Sequence, residues 1–146
     1  MIEVVWFKRD LRVHDHAPLI NACASGNVVV PLYIYEPEMW RQAEQSGRHF
    51  EFLQECLADL DGSLRQRGSA LVRRTGEAIE VLAKLHRDSG IAAIHAHEET
   101  SLLWTYQRDK AVRHWARVHS IPVIEHRQHG VWRGLTSRNG WAKRWD

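Results

Sequence analysis

The chain has 146 residues, of which 44 % are hydrophobic and 26 % charged, and its formal net charge is +2. That length fits one domain and that apolar content a packed core, which excludes intrinsic disorder. The absence of any apolar run approaching about eighteen residues argues against a bilayer span, and the near-neutral balance excludes nucleic-acid binding by bulk charge alone.

Residues 3–7 (Glu-Val-Val-Trp-Phe) open with an apolar run and lack the basic region and cleavage site of a signal peptide, so they read as a first strand. A charged segment follows, Lys8 to His16, and then a helix with Asp15 as its expected N-cap and Pro18 in its first turn. A second apolar run covers 28–34. After it, Leu53, Cys56, Leu57, Leu60 and Leu64 recur at helical spacing, and Gly68 stands where a helix stops. Residues 70–72 give a weak strand, Ala78, Leu82 and Leu85 a helix ended near Ser89-Gly90, and 91–96 a further strand. Ala111, Trp115 and Val118 mark the last helix, with Asp109 and Arg113 spaced as an i, i+4 pair, and 121–125 closes the series as a strand.

Apolar runs without strict alternation belong to strands covered on both faces. Strand–helix units repeated four times and closed by a strand predict an α/β fold: a doubly wound, Rossmann-like five-stranded parallel sheet with helices on both faces. Cys23 and Cys56 fall in helical segments and are expected as buried thiols of a protein of the reducing cytosol. Residues 126–146 have no clear period. They carry Arg127, Arg133, Arg138, Lys143 and Arg144 against Asp146, together with Trp132, Trp141 and Trp145. The expected division is therefore a domain over 1–125 and a basic, Trp-rich linker or docking segment over 126–146.

In such a sheet ligands bind beyond the carboxyl ends of the strands. The segments starting at Lys8, Tyr35, His97 and His126 should meet there, offering cations, carboxylates, imidazoles and aromatic rings to a flat, polar, conjugated ligand. Taken alone, the run from Lys8 to Arg12 also fits a solvated loop with internal ion pairs, and Glu98-Glu99 also fits a helix N-terminus. No Gly-x-Gly-x-x-Gly, Walker-type loop or Gly-x-Ser-x-Gly occurs, which disfavours dinucleotide, P-loop and nucleophile-elbow chemistry. Histidines pair up at the same edge (His14/His16, His95/His97, His126/His129). No metal is expected on them, because no ligand motif anchors a site and because His95 and His97 are taken to face opposite ways. Trp6, Trp104 and Trp115 are expected in the core.

Val5-Trp6-Phe7-Lys8-Arg9-Asp10-Leu11-Arg12-Val13-His14-Asp15 resembles the opening of the cryptochrome/DNA photolyase family, Trp-Phe-Arg-x-Asp-Leu-Arg-x-x-Asp-Asn. Tyr33-Ile34-Tyr35-Glu36-Pro37 and Tyr106-Gln107-Arg108-Asp109 resemble two further stretches of that family. Lys8 and His16 depart from it, standing where the family has Arg and Asn. The resemblance covers essentially the whole chain and implies its N-terminal α/β domain. That domain binds an antenna chromophore (a folate, a deazaflavin or a flavin nucleotide) and passes excitation to FAD in a C-terminal helical domain of the same protein. DNA is then met only through that second domain, and no membrane is involved. The chain ends at Asp146, before any such domain, so a fragment is expected, itself without catalytic residues, of a photolyase-like enzyme or a cryptochrome. Folate-binding members carry a glutamate early in the helix after the fourth strand, where this chain has Leu102, which weakens the folate assignment. The residues expected around the chromophore are Tyr35, Met39, Arg48 and Glu99, with Lys8, Arg9 and Asp10 below it. Two alternatives are a structural module that holds no chromophore and a free-standing nucleotide-binding α/β protein.

Overall fold

In the computed structural model, which describes residues 1–128, 137 and 139, five parallel strands form one sheet in the order β3-β2-β1-β4-β5. The strands are β1 (Ile2–Phe7), β2 (Val28–Tyr35), β3 (Val72–Thr75), β4 (Ile91–His97) and β5 (Val123–His126). Between them run α1 (Ala17–Ala24), α2 (Pro37–Trp40), α3 (Gly47–Arg65), α4 (Ala78–Ser89) and α5 (Leu103–Val118). The short α2 has no counterpart in the apolar periodicity, since four residues are too few to establish a period. Most of the Trp-rich segment, including Trp132, Trp141, Trp145 and His129, lies outside the described residues.

Alternation along β1 sorts the core into two layers. Val5 and Phe7 pack with Ala22 of α1 and with Leu53, Leu57, Leu60 and Leu64 of α3. Val4 and Trp6 pack with Ala78 and Leu82 of α4 and with Val112 and Ala116 of α5. The chain therefore winds outward through β2 and β3 over one face. It returns across the other to place β4 beside β1, and the strand order reverses between those two strands, where a crevice opens at their carboxyl ends. Pro31 stands one residue before β2 begins pairing with β3, a position that tolerates the missing N–H.

The helix ends obey local chemistry. Gly68, at φ 78, lets its N–H reach the Arg65 carbonyl and the Ser69 N–H reach that of Leu64, closing α3. Gly90, at φ 67, turns the chain from α4 into β4, and its carbonyl accepts the Ile2 N–H at 2.8 Å.

Four local expectations are corrected. The N-cap of α1 is His16, not Asp15: its Nδ1 accepts the Leu19 N–H at 3.2 Å, and Asp15 sits before it at φ 47. Cys23 is exposed, because α1 is short and buries only Pro18 and Ala22, and Cys56 is half-buried beside the Leu53, Leu57, Leu60 and Leu64 stripe of α3; both thiols are free. The buried stripe of α5 is Thr105, Asp109, Val112 and Ala116, whereas Ala111 and Val118 face solvent. Two polar residues on the inner face disguised that stripe. Asp109 consequently does not pair with Arg113, which binds Glu125 at 2.9 Å. Of the three tryptophans, Trp6 is buried, and Trp104 and Trp115 are half-buried.

Among the described residues, no helix is long and apolar enough to cross a membrane.

Candidate functional site

The segment leaving β1 folds around one buried carboxylate. Asp10 Oδ1 accepts the Lys8 N–H at 2.9 Å, and Oδ2 accepts from His16 Nε2 at 2.7 Å and from His97 Nδ1 at 2.6 Å. Because His16 Nδ1 already accepts a backbone N–H, its ring proton must sit on Nε2, facing Asp10. Burial works to raise the Asp10 pKa, but the bonds from His16, His97 and the Lys8 N–H overcome it and hold the carboxyl well below the usual carboxylate range. Asp10 thus pins three pieces of chain together: the β1 exit, the start of α1 and the end of β4.

Asp10, His16 and His97 bring three potential ligand atoms within 4.8 Å of one another. His95 and His97 also share a face, since residues two apart on a strand point the same way, which corrects the expectation that they diverge. His95 Nε2 meets Glu3 Oε2 at 2.9 Å. The hydrogen bonds give the trio a different task from ligation. A metal at His16 Nε2 would have to displace the proton that the Leu19 N–H fixes there.

A second charged cluster centres on Arg108. Its Nε donates to Asp109 Oδ1 at 3.0 Å, and its Nη1 donates to Glu36 Oε2. The guanidinium lies 4.7 Å from the Trp6 ring centre and 5.7 Å from that of Trp104, within cation–π range of both. Lys8 Nζ, also over Trp6, donates to Asp109 Oδ2 at 2.8 Å. Glu99 Oε1 accepts the N–H groups of Thr100 and Ser101 and the Ser101 hydroxyl, shaping the turn into α5, while its Oε2 lies 3.7 Å from Arg108 Nη2.

Within this cluster three carboxylates, Glu36, Glu99 and Asp109, face two cations, Arg108 and Lys8. One negative charge is in excess, which favours the neutral form of a buried carboxyl. Burial pushes the Glu36 carboxyl up to about 7; Arg108 opposes the rise, and Glu77 and Asp109 add to it. Arg108 itself is held charged, because Glu36 and Asp109 outweigh its own desolvation. A raised carboxyl contributes stability that is complete below its unfolded pKa, near 4.5, and lost as the pH rises through about 7. Wild-type protein should therefore lose stability between about pH 5 and about pH 8 relative to a Glu36→Gln variant, read as urea midpoints across that range. Parallel pH profiles for the two proteins would refute this assignment.

Above these charges opens a cavity of about 520 Å³, in the range that takes a drug-sized or cofactor-sized molecule. Trp6, Lys8 and Arg9 line it from β1, Glu36, Met39 and Trp40 from β2 and α2, Glu99, Ser101 and Leu102 from the β4 exit, and His49, Phe52 and Leu53 from α3. Five buried side-chain polar atoms among the described residues lack a hydrogen-bond partner, and three of them belong to lining residues: Glu36 Oε1, Arg108 Nη2 and Trp40 Nε1. Buried polar groups are normally satisfied, so this concentration sets the floor of the cavity apart from the rest of the core.

Of the residues expected around a ligand, Lys8, Arg9, Met39 and Glu99 line this cavity. Asp10 is buried in the histidine network, Tyr35 turns its hydroxyl to Gln54 at 3.0 Å, and Arg48 is exposed at the start of α3. None of these three is in the lining. Exits from β1, β2 and β4 meet at the cavity, and among the described residues none after β5 lines it. Sequence reasoning left out Glu36 and Arg108, two of the buried charged residues on its lining. The signal available for them was a carboxylate, Asp109, on the inner stripe of a helix, which demands a nearby cation.

The model of the DNA photolyase family matches residues 3–140. The chain belongs to the DNA photolyase family. Cryptochrome DASH of Gloeobacter violaceus is 43 % identical to it over 103 residues, which are 67 % of this chain and 21 % of that protein. A bacterial class III photolyase from Agrobacterium tumefaciens superposes with a TM-score of 0.80 at 26 % identity, over 94 % of this chain and 28 % of its own. An archaeal photolyase from Sulfolobus tokodaii does so with a TM-score of 0.81 at 23 % identity over 99 % of this chain and 34 % of its own, a likeness of fold. This photolyase-family chain thus spans about a fifth of the curated relative and about a third or less of the solved structures.

Proposed function

We propose that this photolyase-family chain is the antenna-type part of a light-dependent flavoprotein, with the cavity at the β1, β2 and β4 exits holding a planar pigment. The observation that carries this reading is the cavity itself: about 520 Å³ at the reversal of strand order, lined by Trp6, Trp40 and Phe52 together with the charged residues Lys8, Arg9, Glu36, Glu99 and Arg108. Aromatic faces suit a conjugated ring, and the charged residues of the lining suit its polar edge. A pigment bound there would absorb light and pass excitation to FAD in a C-terminal helical domain, through which the parent protein would meet DNA as a photolyase or signal as a cryptochrome.

The chain's own residues have definable tasks in this scheme. Asp10 holds the Lys8–Arg12 segment in place. Lys8 and Arg108 balance the buried carboxylates beside the cavity, Asp109 first among them. Phe52 and Leu103, which are 67 % and 72 % exposed, offer apolar surface near the cavity mouth to the helical domain, and residues 126–146 supply a basic docking segment toward it. Residues 1–125 then form the domain proper, in a cytoplasmic protein.

The test is direct. The chain is mixed in turn with a reduced folate, a deazaflavin and flavin mononucleotide, and absorption is recorded. The Sulfolobus tokodaii structure contains two FAD molecules, which is why a flavin stands among the three. At least one should bind with a red-shifted spectrum. No shift with any of them would sink the antenna reading.

A further inference from the structure

Four lysine and arginine side chains line the cavity, and only two of them are answered by a carboxylate. Lys8 pairs with Asp109, and Arg108 pairs with Glu36, Glu99 and Asp109. Among the described residues Arg9 and Arg12 form no ion pair, with Glu44 of the same lining or with any other carboxylate. Both can be reached from outside, since Arg9 is exposed and Arg12 half-buried.

The backbone that carries them is fixed. Asp10, between them, is anchored on His16 and His97 through its carboxylate, and the Arg12 N–H closes back on the Asp10 carbonyl at 2.7 Å. The Arg12 side chain is positioned too: its Nε donates to the His14 carbonyl at 3.0 Å and its Nη2 to the Asp15 carbonyl at 2.9 Å. Those acceptors are neutral, so they place the guanidinium without cancelling its charge, and Nη1 is left for a further acceptor. The charge of Arg9 is felt on the cavity wall. Burial pushes the Tyr33 hydroxyl up, Tyr35 and Glu36 add to the rise, and Arg108 and Arg9 oppose it; Tyr33 is itself part of the lining. Two unanswered guanidinium groups beside an aromatic cavity complement a molecule with a flat body and an anionic tail.

We propose that Arg9 and Arg12 hold an anionic tail of the pigment, either the phosphate of a flavin nucleotide or the carboxylates of a folate's glutamyl chain. This deepens the antenna reading and rests on it. It assigns orientation: the ring lies among Trp6, Trp40 and Phe52, and the tail leaves the cavity past the segment between β1 and α1. It also divides the affinity into a ring contribution that salt barely alters and a tail contribution that salt screens.

Flavin mononucleotide is titrated by fluorescence into the full chain beside riboflavin, which has the same ring and no phosphate. A polyglutamyl reduced folate is titrated beside its monoglutamyl form. In at least one pair the more anionic member should bind about tenfold more tightly at about 50 mM salt, and the advantage should shrink to about twofold at about 500 mM. The pair that shows it identifies the tail. Arg9→Gln and Arg12→Gln should each remove most of the advantage, and Arg9→Glu should reverse it, the loss falling on the more anionic member of the pair. Arg9 is exposed and makes no hydrogen bond among the described residues, so its two variants should fold with wild-type urea midpoints. Equal affinity within both pairs overturns the proposal and leaves the antenna reading intact. So does an advantage that survives unchanged at the higher salt or in folded Arg9→Glu protein. If no member of either pair binds, the proposal falls, and the antenna reading falls with it only if the deazaflavin also fails.

Discussion

Replacing Arg108 with Met is expected to destabilise the domain by about 3–5 kcal/mol, the cost typical of removing one partner from a buried ion pair. Arg108 is the common partner of Glu36, Glu99 and Asp109, all buried, and is covered by Trp6 and Trp104. Methionine keeps much of the stem that packs against the indoles, so the loss isolates the charge rather than the volume. Without the guanidinium, Lys8 remains to answer Asp109, but Glu36 loses its hydrogen bond from Arg108 Nη1. For a domain of this size the loss corresponds to a fall in Tm of roughly 10 °C. The stranded carboxylates would each favour protonation, so the deficit should narrow as the pH falls toward about 5, as burial without a partner raises carboxyl pKa values. Urea titrations of both proteins at about pH 5 and about pH 8 provide the check. A variant within about 1 kcal/mol of wild type at the higher pH would show that the cluster is screened by solvent and is not a buried network.

Replacing Asp10 with Asn is expected to cost about 2–4 kcal/mol, although the side chain changes hardly at all in volume. One amide oxygen cannot serve three donors that now occupy two carboxylate oxygens. If it faces His16 and His97, the NH₂ group opposes the Lys8 N–H; if it faces Lys8, both imidazoles lose their acceptor. The sign of the pH dependence follows from the depressed pKa. The stabilisation by Asp10 is fully present above the ordinary carboxylate pKa and is lost only as the pH falls through the much lower folded value. Wild type and Asp10→Asn should therefore differ by a nearly constant amount from about pH 7 down to about pH 5, in contrast to the convergence expected at Arg108. The loop anchored by Asp10 contributes Lys8 and Arg9 to the cavity, so ligand affinity should fall together with stability. Unchanged unfolding of the variant would mean that the histidines find other acceptors.

The architecture was legible because it depends on patterns that a linear chain displays. Val4, Val5, Trp6 and Phe7 form an unbroken apolar run since both faces of β1 are covered, and Leu53, Leu57, Leu60 and Leu64 mark one side of α3. Turn chemistry at Gly68 and Gly90 set the helix ends. The α5 stripe was misplaced for a related reason: Thr105 and Asp109 occupy inner positions that periodicity assigns to apolar residues. A buried Asp109 is affordable only because Lys8, 101 residues earlier, and Arg108 meet it in space.

The sequence by itself determined the class of fold, the number of strands and their alternation with helices, and the neighbourhood of strand exits where a ligand would sit. Only the tertiary structure decided which charges meet there. Lys8, Arg9, Met39 and Glu99 came to the cavity, whereas Asp10 turned to two histidines, Tyr35 to α3 and Arg48 to solvent. The physical reason is one of range. Strands and helices are specified by neighbours a few residues apart, while pairings such as Glu36 with Arg108, 72 positions distant, exist only after the sheet has brought β2 and α5 together. No local pattern records which of several carboxylates will find the one guanidinium they share.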